Sequence, residues 1–118
     1  MNTIFRLSHL SRFLLCAAFL FSVLPADAAD DQPALDWKLG LGDMKGSLAF
    51  FGPEAMREKK VERTADTVTG TWKGHAECGD AFAVTVTWHR TPEGLWSGDL
   101  AYEGYSGKRF VEEIHFPL

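Results

Sequence analysis

The chain has little of several things that small proteins depend on. It holds two cysteines in 118 residues, Cys16 and Cys78. The first falls in a stretch that reads as a leader, so an internal disulfide is not available to staple the rest. The longest apolar run, Phe13 to Leu24, has 12 residues, where a spanning helix needs about 20. Positive charge is in deficit, with 12 Lys and Arg against 16 Asp and Glu. That balance gives no electrostatic case for nucleic acid or for an anionic membrane surface. The chain has no Arg-Arg pair of the kind that marks a route for folded cargo. It also lacks a G-x-S-x-G elbow, or any suggestive order of serine, histidine and acid for nucleophilic catalysis. Repeats and low-complexity tracts are missing as well.

What is present begins with the leader. Arg6, His9 and Arg12 precede the apolar run, Pro25 breaks it, and Ala26-Asp27-Ala28 offers small residues around a cleavage point. The order is that of a secretory signal peptide over residues 1–28, cut after Ala28. The style is bacterial, which places the protein in the periplasm, with full secretion as the alternative. A lipoprotein reading of Cys16 is disfavoured because Leu15, not a small residue, precedes it. Removing the leader takes away Arg6, Arg12 and Asp27, leaving a net charge of about −5 on about 90 residues. Residues 29–34 read as a flexible stub and 35–118 as one domain. A domain of that size is near the lower limit for a self-sufficient core, so its stability rests on packing, with four tryptophans to supply it.

Glycine punctuates the chain from Leu35 onward, and the segments between are short, alternating and rich in Thr, Val and aromatics. Antiparallel strands follow from that pattern. Thr67–Cys78, Ala81–His89 and Leu95–Glu103 each turn even-numbered residues to the core. A three-residue loop at Gly79–Ala81 would pair Cys78 with Phe82 and Trp72 with Trp88, and would let Trp88 face Trp96. Lys108–Phe116 forms the last strand, with Phe110, Ile114 and Phe116 inward. Leu35–Leu39 and Lys45–Phe51 read as strands. Ala55–Arg63 is open between a helix started by Pro53 and a charged edge strand, a helical turn leading into a strand near Val61 being preferred. The expected fold is all-β, a small antiparallel barrel or sandwich of six to seven meander strands with one short helical turn.

Few constellations suggest chemistry. His75 and Cys78 have H-x-x-C spacing, but strand residues three apart point to opposite faces, so they share a metal only if a bulge intervenes. His75 is expected in solvent and Cys78 in the core, although an intermolecular disulfide through Cys78 stays open for a lone thiol in an oxidising compartment. His75 and His89 fall about 13 Å apart along the expected strands, too far for one metal. Glu112-Glu113 cannot act as a dyad from one side of a sheet. No metal or cofactor is therefore expected.

Two short phrases carry a resemblance. Gly70-Thr71-Trp72 is similar to the opening strand of calycin barrels (lipocalins, avidins, fatty-acid-binding proteins), which implies a barrel holding a small apolar ligand. Tyr105-Ser106-Gly107-Lys108-Arg109 resembles the Ser-Gly-x-Arg/Lys loop of periplasmic lysozyme inhibitors of the C-type class, without the disulfide-bonded frame of that class. The leading expectation is a non-catalytic envelope protein that binds another protein, inhibitor- or immunity-like, through loops 91–94 and 104–109. Tyr105, Lys108, Arg109 and Trp96 are the candidate contact residues. Carriage of a small apolar ligand is the alternative.

Overall fold

The structure is a computed structural model that describes residues 32–118 in full. Of the first 31 residues it describes only the backbone of two strands, β1 (Ile4–Arg6) and β2 (Ala18–Pro25). Cys16, the cleavage point expected after Ala28 and residues 29–31 of the stub lie outside the described residues. Seven strands follow: β3 (Lys38–Gly42), β4 (Leu48–Phe51), β5 (Glu58–Arg63), β6 (Thr67–His75), β7 (Gly79–Arg90), β8 (Leu95–Glu103) and β9 (Phe110–His115). They form two antiparallel sheets, as the alternating pattern predicts. One runs β5-β6-β7-β8 with β2 beside β8, and the other runs β4-β3-β9 with β1 beside β9. The meander thus holds in the larger sheet, whereas β9 leaves it to lie against β3.

The segment left open between helix and strand is mostly strand. Pro53 starts a single 3-10 turn, Pro53–Ala55, and β5 begins at Glu58, earlier than Val61. All six of its residues are exposed. Five of the six are charged, which suits a sheet edge that must stay unpaired.

The two sheets meet across one core in which Trp37, Trp72, Trp88, Trp96, Phe82 and Phe116 are each no more than 2% exposed. Even-numbered residues of β6, β7 and β8 face it, as expected. The register differs from the expected one. Trp72 stands opposite Val84, and Val68 stands opposite Trp88. Trp88 lies opposite Gly98 in place of Trp96. For the β7–β8 pair the physical reason is volume. A Cβ on Gly98 would come within 2.5 Å of the Trp88 ring, so the indole occupies space that only glycine leaves free. Trp72 is set edge-on to Trp37 at 5.6 Å.

Two irregularities change parity locally. Gly74 has φ +83, a left-handed conformation that other residues adopt at a cost, and the β6–β7 register shifts between Lys73 and His75. The hairpin loop is consequently Ala76–Cys78, not Gly79–Ala81, and His75 turns inward. A second register shift falls between Gly40 and Leu41, where Gly40 pairs with Glu113 but Leu41 with Val111. It buries Val111 and leaves Phe110 only partly buried, whereas Phe110 was the expected core residue.

Candidate functional site

The six-residue loop Gly104–Arg109 carries the chain from β8 in one sheet to β9 in the other. It is held down at its centre. The Ser106 backbone N–H and its hydroxyl both donate to the carbonyl of Cys78, at 3.0 and 3.3 Å. The Tyr105 ring folds back edge-on to Phe82, 5.9 Å away. Its hydroxyl is buried with no hydrogen-bond partner among the described residues, and burial, with the Cys78 thiol next, pushes its pKa up to about 12. Lys108 is exposed. The Arg109 guanidinium stands 3.8 Å from the Glu77 carboxylate.

Around these groups runs a groove of about 410 Å³, lined by Tyr105, Ser106, Gly107, Lys108 and Arg109 from the loop, Leu41 from β3 and Glu77 from the β6–β7 turn. Leu41 and the tyrosine ring give it an apolar part, and the lysine and arginine give it a basic rim. Neighbouring Asp43 closes the β3–β4 turn by accepting N–H groups of Lys45 and Ser47, both at 2.9 Å. The Ser47 hydrogen bond is the main cause of its lowered pKa, and the Arg109 charge adds to it.

Three of the four candidate contact residues, Tyr105, Lys108 and Arg109, therefore come together. Trp96 does not join them. It is 1% exposed near the far end of β8, with the Arg90 guanidinium 4.8 Å over its ring. An inward-facing strand position buries it, so it offers nothing to a surface partner. The Thr91–Gly94 turn also lies at that far end, roughly 30 Å along the strand from loop 104–109 at the usual rise. The groove residues that sequence reasoning missed are Leu41 and Glu77. Alternation alone puts odd-numbered Glu77 on the outward face of a strand, and Leu41 reaches the groove through the β3–β9 pairing, which leaves no local signal.

The bulge at Gly74 also resolves the histidine and cysteine pair. His75, expected in solvent, is buried and stacked on Phe51 with ring centroids 4.0 Å apart. Its Nδ1 accepts the N–H groups of Glu77 and Cys78 at 3.1 and 3.2 Å, so that lone pair is committed to closing the turn. Burial lowers its pKa. Cys78 is a free thiol with no exposed surface. Desolvation pushes its pKa up to about 12, so little reactive thiolate forms near neutral pH, and a disulfide to a partner would require this turn to open. Among the described residues, no group of three or more His, Cys, Asp or Glu is arranged to hold a metal. His115 lies apart, edge-on to Phe50 at 5.2 Å.

No protein-family model, curated protein or solved structure matches the chain.

Proposed function

We propose that this is a small exported, non-catalytic binding protein of the bacterial envelope that recognises another protein in the manner of an enzyme inhibitor or immunity factor. Loop 104–109 alone would carry the contact. The supporting observation is a basic rim set on a pre-fastened loop. Lys108 and Arg109 stand beside an apolar groove, and the hydrogen bonds from Ser106 to Cys78 and the buried Tyr105 ring hold the loop that presents them. A loop ordered before contact loses little entropy on binding. Lysine and arginine on an otherwise acidic chain favour an acidic partner surface. Tyr105 acts here as the floor and fastening of the loop, with Lys108 and Arg109 as its contact groups.

Carriage of an apolar ligand has weaker support, because large side chains fill the inward faces that would line its cavity. The test is capture from the envelope fraction by the wild-type protein and by Lys108→Glu, with the affinity for the captured protein then measured. Wild-type protein should form a stoichiometric complex. Lys108→Glu should weaken it by about tenfold or more at an unchanged melting temperature. Equal affinity of both would remove loop 104–109 from the interface. A discrete small-molecule mass retained by the native protein would favour carriage instead.

A further inference from the structure

The larger sheet has two unlike edges. On one side, β5 presents Glu58, Lys59, Lys60, Glu62 and Arg63 around a single apolar Val61, all exposed. Lysine and alternating charge are the usual protection of an edge against further pairing. On the other side, β8 reads Leu95-Trp-Ser-Gly-Asp-Leu-Ala-Tyr-Glu103, with two charged residues, no lysine and no proline. This less charged edge is occupied. Ala18–Pro25 lies along it as β2, antiparallel, in unbroken register from Ala18 opposite Tyr102 to Pro25 opposite Leu95. The register sets Leu20 opposite Leu100 and Leu24 opposite Trp96, with Phe19, Phe21 and Val23 opposite Ala101, Asp99 and Ser97 and the one polar residue, Ser22, opposite Gly98, so the segment is apolar at positions of both parities. Ala18–Pro25 falls within the leader expected over residues 1–28, and cutting after Ala28 would remove it. Eight ladder positions of β8 would then lose their partner, and Asp99 is the one charge along the edge so exposed.

We propose that the outer edge of β8 is a strand-acceptor site for an extended apolar segment of a partner polypeptide. The segment, about eight residues long, would add antiparallel in the register that Ala18–Pro25 holds. Main-chain hydrogen bonds supply the affinity of such strand addition, and alternate side chains supply the selectivity. Alternation also sets the chemistry of the guest. Positions facing Trp96 and Leu100 call for apolar side chains, while those facing Ser97, Asp99 and Ala101 tolerate polar ones. The site rests on the leader being removed and does not depend on loop 104–109.

The test uses the exported protein purified from the envelope of a bacterial host, with its N-terminus fixed by mass. The probe is a synthetic peptide of residues 17–26 extended by C-terminal lysines for solubility. Binding is read by titration and by hydrogen exchange of the β8 amides that face away from β7. The processed protein should take up one peptide per chain, and those amides should slow. The double variant Ser97→Lys, Ala101→Lys places charge on the outer face of the edge, where both positions are partly exposed. It should bind at least about tenfold more weakly at an unchanged melting temperature, whereas Lys108→Glu should bind like wild type. The proposal is overturned if the processed protein ignores the peptide, or if the double variant binds as well as wild type. It also fails if the edge amides are already slow without peptide, whether a retained leader or a second copy of the chain covers them.

Discussion

The two loops at the ends of β8 look alike in sequence and differ in what holds them. Thr91–Gly94 is fastened to itself. Gly94 N–H donates to the Thr91 carbonyl at 2.9 Å, and Leu95 N–H donates to the Thr91 hydroxyl at 3.1 Å. Gly104–Arg109 is fastened to the rest of the molecule, through Ser106 on the β6–β7 turn and Tyr105 on Phe82. A self-closed turn can change without disturbing the core. A loop tied to a second hairpin and to a core ring can present side chains at fixed positions, and it fails if either tie is lost. Glycine and polar residues mark a connection and occur in both, so they do not separate a spacer from a platform.

The sharpest test of this difference is a matched pair of glycines. Gly94 has φ +82 and Gly104 has φ +72, so alanine is strained at either. The surroundings differ. Among the described residues a Cβ at Gly94 meets nothing within 4 Å, whereas at Gly104 it would sit 2.2 Å from the Ala81 carbonyl oxygen. Gly94→Ala should cost roughly 1–2 kcal/mol from backbone strain alone. Gly104→Ala should cost roughly 3 kcal/mol, since backbone must also move. Thermal unfolding should separate the two melting temperatures by roughly 10 °C. Equal costs would mean that loop 104–109 yields as easily as the turn.

The next largest effect is alkaline. The Cys78 carbonyl holds Ser106, and the Cys78 thiol has its pKa raised from 9.0 to about 12 by burial. A raised value means that the folded state keeps its proton longer than the unfolded state does. Stability from this group is therefore full below 9.0 and is lost as pH rises toward 12. Tyr105, raised from 10.0 to about 12, acts in the same direction. Denaturant titrations should show stability falling across that window, and Cys78→Ala should flatten the slope. On the acid side the sign reverses. The pKa of His75 is lowered from 6.5, first by burial, so its contribution is present above 6.5 and is lost as pH falls through the folded value. Protonation also takes away the Nδ1 acceptor that closes the turn. The ring protons of His75 should therefore titrate below 6.5 in an NMR series. A value at or above 6.5 would contradict the buried, turn-closing role.

Much of this arrangement could be read from the residues, and what could not has a local cause. Alternation of Val68, Trp72, Phe82, Val84, Val86, Trp88, Trp96, Leu100 and Tyr102 identified the core face of three strands, because a period of two survives any slide by an even number. The same fact made the register invisible. Parity alone cannot distinguish Trp72 opposite Trp88 from Trp72 opposite Val84, and the choice follows the Ala76–Cys78 hairpin loop beyond the left-handed Gly74, while the volume of Trp88 over Gly98 accompanies the β7–β8 register. The inward turn of His75 depended on the left-handed Gly74, and the burial of Val111 on the bulge opposite Gly40. Each reverses parity for everything beyond it within its strand. Tyr105, Lys108 and Arg109 were legible as a group because they are contiguous. Leu41 and Glu77 complete the groove through pairings more than 25 residues away in sequence, which a chain read in order does not reveal.

The smallest predicted effect bears on how the loop is fastened. The Tyr105 hydroxyl is buried without a partner among the described residues, and a Cβ on Gly107 would lie 2.8 Å from it. A buried hydroxyl lacking a hydrogen bond costs stability relative to the same ring without it. Tyr105→Phe should therefore leave unfolding free energy unchanged or raise it by up to about 1 kcal/mol, while Tyr105→Ala should lower it by roughly 2 kcal/mol through loss of the packed ring. If the ring is the fastening, the phenylalanine variant also keeps full affinity for a protein partner, because Lys108 and Arg109 stay where they were. A clear loss of affinity at unchanged stability would make the hydroxyl a contact group in the complex, exposed by a movement of the loop. The platform would then be less rigid than its two ties imply, and the contrast with the self-closed turn at Thr91–Gly94 would narrow accordingly.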